Sequence, residues 1–204
     1  MKSNIQRHLI FCSLVGIIFS ALNLIGAVQA RENPAIDIHG RILEVEVSEN
    51  IQRFIFDETP LTTDANGNDV PGDGNEFKTE GYIYEPGTLI GDGDGVNPDG
   101  SPQYPDRVIG RWTCWGFHVG NGAATETGPV VITHQLFDFG ERFGHRSIVT
   151  AGFELVDIGE PIQRAITGGT GPYRNARGEV VQTLIGFNGQ NGVNLHVRFK
   201  VNRF

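Results

Sequence analysis

Short runs of β-branched and aromatic residues, separated by turn residues, constrain the fold of this chain more than any other feature. The last run, residues 193–201, alternates apolar and polar residues without a break. Side chains of a strand point to opposite faces with a period of two, so one face of this run is apolar and the other solvated. No window carries the sustained apolar stripe of an amphipathic helix. The chain is therefore predicted to be all-β.

Strands are predicted in nine runs: 38–47, 52–56, 77–84, 107–119, 130–139, 147–156, 162–167, 178–187 and 193–204. In the first run, Leu43, Val45 and Val47 share one face. About eight strands at short spacing are typical of either a barrel or a sandwich, and periodicity alone does not separate the two. A closed barrel of about eight strands removes exposed edges and can enclose one small ligand.

The N-terminus has the organisation of a cleaved signal peptide over residues 1–30. Lys2 and Arg7 give a positive start, an apolar run follows, and small residues at Val28 and Ala30 suit a signal peptidase. The alternative is an uncleaved anchor, since the apolar run approaches the length of a membrane span. We predict cleavage, a secreted or periplasmic location, a single domain over residues 31–204 and no membrane association after cleavage.

Charge and cysteine content exclude several classes of protein. The formal net charge is −8, and loss of residues 1–30 would make it more negative. An acidic chain without a basic run is a poor partner for nucleic acid. Only Cys114 would remain after cleavage, so no intramolecular disulfide or cysteine-based zinc site is predicted. A buried, inert thiol is expected there, with a reactive thiol or an intermolecular bridge as the alternatives.

Two loops, residues 62–76 and 91–101, are rich in Asp, Asn and Gly. Closely spaced oxygen ligands suit calcium, although neither loop has the complete pattern of an EF-hand. Solvated turns are the favoured interpretation and calcium is a minor hypothesis. The candidate ligands are Asp64, Asn66, Asn68, Asp92 and Asp94.

The common catalytic motifs are missing from the sequence. It has no G-x-S-x-G elbow, no H-E-x-x-H and no phosphate-binding G-x-x-x-x-G-K, and its histidines lack ligand-like spacing. No cofactor is predicted.

The most informative segment is residues 165–180, A-I-T-G-G-T-G-P-Y-R-N-A-R-G-E-V. Its glycines allow positive φ or a close approach of another chain segment. Arg174 and Arg177 are three residues apart, so in an extended chain they face opposite sides. An inward arginine needs a carboxylate or an anionic ligand, and a purely structural ion pair is the alternative.

This segment closely resembles the G-G-T-G-x-F-R-x-A-R-G signature of plant dirigent proteins, and it is similar to the G-G-S-G stretch of allene oxide cyclases. Residues 108–116 resemble the V-G-R-A-Q-G strand of dirigents, and residues 137–149 resemble a shared F-x-x-G-x-Y-G pattern. The resemblance implies an all-β, closed antiparallel eight-stranded barrel of the dirigent/allene oxide cyclase type. It also implies a mostly apolar pocket and a homotrimer.

The resemblance further implies a set of site residues. Arg177 would hold an oxygen or anionic group, and Glu44 would act as the acid of the first strand, with Glu46 as the second choice. The alternative for both glutamates is an exposed acid on an outer face of the barrel. Candidate ligand contacts are Glu46, Trp112, Cys114, Phe137 and Tyr173.

Three functions are compatible with these observations. The first is a dirigent-like or cyclase-like barrel that binds a small hydrophobic intermediate and steers its cyclisation or coupling, by isomerase or dirigent-type stereocontrol. The second is a non-catalytic carrier of a small apolar ligand. The third is a structural extracellular module with a solid interior.

Overall fold

The structure is a computed structural model that describes residues 43–90, 93–124 and 128–202. The predicted signal peptide, the start of the first predicted strand and Asp92 lie outside these residues. No helix within the described ranges is long or apolar enough to cross a bilayer.

The described residues form ten strands and three short 3-10 turns. The strands are β1 (Leu43–Phe56), β2 (Leu61–Thr63), β3 (Asp69–Pro71), β4 (Glu76–Tyr84), β5 (Val108–His118), β6 (Val130–Phe139), β7 (Ser147–Leu155), β8 (Pro161–Gly169), β9 (Gly178–Phe187) and β10 (Val193–Val201). The 3-10 turns are Pro105–Arg107, Gly122–Ala124 and Gly171–Tyr173.

Eight of these strands close into one antiparallel barrel. Their order is β1-β10-β9-β8-β7-β6-β5-β4, and the barrel closes because β1 also pairs with β4. The predicted all-β class and closed eight-stranded barrel are therefore confirmed. Closure leaves none of these eight strands as a free edge.

Two local predictions differ from the structure. The runs 38–47 and 52–56 are not separate strands, because β1 is continuous and absorbs its irregular middle in a register shift between Asn50 and Ile55. The predicted loop 62–76 contains the β2–β3 hairpin. Its turn is closed by Asp64, whose carboxylate accepts the backbone N–H groups of Asn66 and Asn68.

The barrel interior has an apolar half and a polar half. Leu43, Val45 and Val47 point inward, as their alternation predicts. Trp112 lies opposite Phe137 on the neighbouring strand, and the aromatic rings there pack directly, with the Phe137 and Phe199 centroids 4.9 Å apart. The predicted apolar lining is thus present in this half as a cluster of packed aromatic rings.

The polar half begins two residues further along the strands from Trp112 and Phe137, on the same inward face, with a row of polar side chains. Its members lie opposite one another on four neighbouring strands and are almost completely buried: Thr79, Cys114, Gln135 and Thr150. The row marks where the interior changes from hydrocarbon to hydrogen-bonding groups.

Candidate functional site

Glu154, on β7, is the centre of the polar half. Five polar side chains from four other strands donate hydrogen bonds to its carboxylate. The donors are Cys114 Sγ at 3.4 Å, Gln135 Nε2 at 2.8 Å, Arg164 Nη1 at 3.2 Å, Gln182 Nε2 at 3.3 Å and the Thr133 hydroxyl. Every neighbour donates, which is the arrangement that an ionised carboxylate requires. We call these six residues the Glu154 hub.

Arg164 is the cation of the hub, and its side chain is completely buried. Besides Glu154, its guanidinium donates to the backbone oxygens of Thr133, Gly152 and Phe153 and to Thr150 Oγ1. A buried charge is tolerated only when it is paired and hydrogen-bonded, and both conditions hold here. The Glu154 side chain keeps 15% exposure, so the hub is not sealed from solvent.

Strand alternation explains why these polar residues point inward. Arg164 has the same parity on β8 as the buried Ile166, and Glu154 has the same parity on β7 as the buried Ile148. Gly152 makes room for the arginine, since a Cβ there would lie 3.3 Å from Arg164 Cγ.

Several buried polar atoms of the interior have no partner among the described residues. They include the amide oxygens of Gln135 and Gln182, the indole nitrogen of Trp112 and the hydroxyls of Thr79 and Tyr173. Each of these atoms is buried. An unpartnered buried polar atom costs about 1–3 kcal/mol, so each of these atoms favours a water or a ligand as its partner.

A second carboxyl, Glu49 on β1, lies within electrostatic reach of the hub. It is 5% exposed, has Thr79 beside it and accepts the backbone N–H of Val193 at 2.9 Å. Burial raises its pKa above the ordinary value, and the charge of Glu154 acts in the same direction. Two carboxyls in one interior thus have different environments, with Glu154 paired to a cation and Glu49 held toward its protonated form.

Cys114 donates to the hub from a buried thiol that has little tendency to ionise. Burial is the largest cause that raises the pKa of its thiol, and the Glu154 charge adds to it. Since the thiolate is the nucleophile, this cysteine has the environment of an inert thiol. The expectation of a buried Cys114 agrees with its 2% exposure.

The structure places Glu44 and Glu46 on the outer face of the barrel. Glu44 pairs with Arg198, at 2.7 Å, on the neighbouring strand β10. Glu46 is buried beneath the segment after β4, where its carboxylate accepts the N–H groups of Gly87, Thr88 and Leu89. The expectation that Glu44 faces the interior is therefore wrong, because the alternation that turns Val45 inward turns both acids outward.

Arg177 is exposed, and its Nη1 donates to the backbone oxygen of Ala176 at 2.7 Å. The expected inward arginine of this segment is also wrong. That expectation assumed an extended chain, in which residues three apart point to opposite faces. The segment instead contains a 3-10 turn at Gly171–Tyr173, so the spacing of three between Arg174 and Arg177 does not determine where they point. The structure does not bring Arg177 and Glu44 together in the interior.

The other predicted ligand contacts are brought together. Trp112, Cys114, Phe137 and Tyr173 belong to one buried cluster. Tyr173 packs on Phe139 with ring centroids 5.8 Å apart, and burial raises the pKa of its hydroxyl to about 12. Whether these four side chains contact a ligand stays a prediction.

Trp115 lies on the opposite face of β5 from Trp112. It is 39% exposed, stacks on His134 and lines an outer groove of about 380 Å³. The two tryptophans of the chain therefore report on different sides of the barrel wall.

The four calcium candidates within the described residues, Asp64, Asn66, Asn68 and Asp94, form hydrogen bonds inside their own loops. Asp64 closes the β2–β3 turn with Asn66 and Asn68, and Asp94 accepts a hydrogen bond from the Tyr104 hydroxyl. Within the described ranges, no group of three or more His, Cys, Asp or Glu side chains could hold one metal ion.

Of the residues that form the polar half, sequence reasoning identified only Cys114. Arg164, Glu154, Glu49 and the two glutamines carry no motif. The available signal was a polar residue at an apolar parity, such as Gln182 between Val180 and Leu184.

The closed eight-stranded antiparallel barrel of this chain is similar in fold to solved dirigent proteins. A pterocarpan synthase dirigent protein superposes with a TM-score of 0.50 and 14% identity, over 80% of this chain and 95% of that one. A second pterocarpan synthase dirigent protein gives 0.49 and 11%, over 84% and 94%. Pyocyanin demethylase gives 0.46 and 14%, over 79% and 100%. At these identities the likeness concerns the fold alone.

No protein-family model and no curated protein matches the sequence.

Proposed function

We propose that this chain is an exported dirigent-like barrel that binds a small, largely apolar molecule beside the Glu154 hub and steers its cyclisation or coupling. One observation carries the proposal: a charged, hydrogen-bonding hub lies inside the barrel, and the Gln135 and Gln182 amide oxygens beside it have no donor among the described residues. The likeness to solved structures supports only the fold in this proposal.

The energetics support a ligand site over a structural role for the hub. Replacing a buried ion pair by apolar side chains is often neutral or stabilising, so a solid barrel gains little from Arg164 and Glu154. Buried amide oxygens without donors add a further cost. A bound molecule that supplies the missing partners would offset that cost.

The two interior carboxyls have complementary chemical roles in this proposal. Glu49, held toward its protonated form by burial, is a candidate general acid that donates a proton to a substrate oxygen as a ring closes. Glu154 is held in place by its five donors and presents a fixed negative charge. The aromatic half supports the substrate by shape, which favours one geometry of closure.

The two tryptophans allow a direct test of binding inside the barrel. The variant Trp115→Phe leaves only the interior Trp112, and Trp112→Phe leaves only the outer Trp115. We expect an apolar aromatic probe to change the fluorescence of the first variant and not that of the second. A change in the Trp115 signal alone would place the probe in the outer groove and contradict the proposal.

The structural module is the second candidate, favoured by the tight packing of the Phe137, Phe139 and Phe199 rings. It predicts that no small probe alters the Trp112 signal at any concentration below its solubility limit.

Export and assembly as a homotrimer complete the proposal. Sequencing the N-terminus of the protein purified from its host tests cleavage after residue 30, and analytical ultracentrifugation tests the trimer. An intact N-terminus or a monomer would remove the corresponding part and leave the interior site unaffected.

A further inference from the structure

The orientation of two glutamine side chains inside the barrel is fixed by Glu154. Gln135 Nε2 and Gln182 Nε2 both donate to that carboxylate, at 2.8 and 3.3 Å. Reversing either amide would place its oxygen against a carboxylate oxygen, and neither atom can donate. The orientation of both amides is therefore fixed, with the oxygens available only as acceptors. Both oxygens lie close to Glu154, because each is bonded to the same carbon as the Nε2 atom that donates to this carboxylate.

These two acceptors are buried and meet no donor among the described residues. Two donors of the hub are used by other oxygens. Arg164 donates from Nε, Nη1 and Nη2 to protein oxygens, and the Thr133 hydroxyl donates to Glu154. The Thr79 hydroxyl and the Trp112 indole nitrogen are also buried without a partner, and neither donates to these two amide oxygens. The Gln135 and Gln182 oxygens are therefore acceptors that a donor-bearing ligand can satisfy.

Among the described residues, no cation other than Arg164 contacts the hub, whereas Arg146, whose Nε is buried without a partner, lies beside Tyr173. Arg164 is compensated by Glu154 at 3.2 Å, and Arg177 is exposed outside this region. The remaining interior carboxyl, Glu49, would repel an anion if it ionised. An anion brought beside the hub would face Glu154 and two carbonyl dipoles with their negative ends toward it.

We infer that the ligand presents an N–H or O–H donor to the amide oxygens of Gln135 and Gln182 and carries no negative charge at that end. The inference rests on the proposed function and narrows its substrate class to uncharged hydroxyl- or N–H-bearing apolar molecules. It replaces the sequence-based expectation of an anionic group held by an arginine.

Three probes of nearly equal size test this inference near neutral pH: naphthol, its methyl ether and the corresponding naphthoate. Binding is followed by the fluorescence of Trp112 in the Trp115→Phe background. We expect naphthol to bind about tenfold more tightly than the ether, the difference made by one hydrogen bond of ordinary strength, and naphthoate to bind most weakly. Equal affinities, or tightest binding of naphthoate, would overturn the inference and leave the proposed function standing. Failure of all three to bind would overturn both.

Matched variants assign the preference to the two amides. Gln135→Met and Gln182→Met each remove one acceptor, and Gln163→Met makes the same change at an exposed position of β8. The inference predicts that naphthol loses most of its advantage over the ether in the first two variants and keeps it in the third. An unchanged advantage in both interior variants would contradict it.

A measurement on the barrel with both glutamines intact covers the case in which the interior variants do not fold. The side-chain amide NMR signals of Gln135 and Gln182 should shift on addition of naphthol and stay in place on addition of the ether. Signals that stay in place with naphthol bound would overturn the inference.

Discussion

Arg164 Nη1 lies 3.2 Å from Glu154 Oε1 inside the barrel, across from an apolar half built of aromatic rings. The two charges come from adjacent strands, β7 and β8, and the arginine also ties down backbone oxygens of β6 and β7. This ion pair is both a fixed part of the wall and the polar end of the candidate site.

Breaking this pair should be costly. Arg164→Met leaves the Glu154 carboxylate without its cation, and we expect a loss of about 3–5 kcal/mol in the free energy of unfolding. The matched change on the outer face, Arg198→Met, removes the half-exposed partner of Glu44 and should cost less than about 1 kcal/mol. Urea unfolding of both variants measures the difference. Equal losses would show that the interior pair has no special role.

The raised pKa of Glu49 gives stability a pH dependence of known sign. The folded protein keeps the Glu49 proton at pH values where the unfolded chain has released it. Stability therefore falls as pH rises from the ordinary carboxyl pKa toward the raised one. Glu49→Gln should remove this contribution, whereas Glu76→Gln, at an exposed position of β4, should keep the wild-type slope. Urea unfolding at a series of pH values tests this, and a Glu49→Gln slope equal to that of wild type would refute it.

The three glycines of residues 168–171 should differ in how much stability an alanine substitution costs. A Cβ on Gly169 would lie 2.6 Å from the Tyr173 backbone oxygen, and one on Gly171, where φ is +55°, would collide with the His145 backbone oxygen. Alanine at either position should cost about 1–3 kcal/mol. Gly168→Ala is the control, since its Cβ would meet only Arg177 Nη1, at 3.7 Å. Thermal unfolding measures all three, and a Gly168→Ala loss as large as the others would contradict the assignment.

Cys114 should be chemically silent in the folded protein. Its thiol is buried, and burial raises its pKa, so little thiolate forms and no reagent reaches it. We expect iodoacetamide to label the Cys114 peptide only after unfolding, as read by peptide mass mapping. Rapid labelling of the native protein would show that the polar half opens widely to solvent.

The barrel and the apolar faces of its strands could be predicted from the sequence, but the polar centre could not. Strand alternation identified the apolar faces of β1 and β10, and the glycine segment pointed to the dirigent-like topology. Alternation also implied that Glu44 and Glu46 face outward, yet the resemblance suggested a catalytic acid at those positions. In the structure both glutamates lie on the outer face, as the alternation implied.

The Glu154 hub could not be predicted because it depends on register. Its members come from five strands, and only the pairing of those strands shows that Thr133, Gln135 and Gln182 approach one carboxylate. A polar residue on an apolar face could have marked each of them. It could not have shown that they meet.

Native mass spectrometry of the protein purified from its own host tests the central claim most directly. The account predicts a mass above that of the polypeptide by one small, uncharged, hydroxyl- or N–H-bearing molecule, which is released on unfolding. Recovery of the bare polypeptide under conditions that preserve other barrel–ligand complexes, with no apolar probe able to enter, would contradict it.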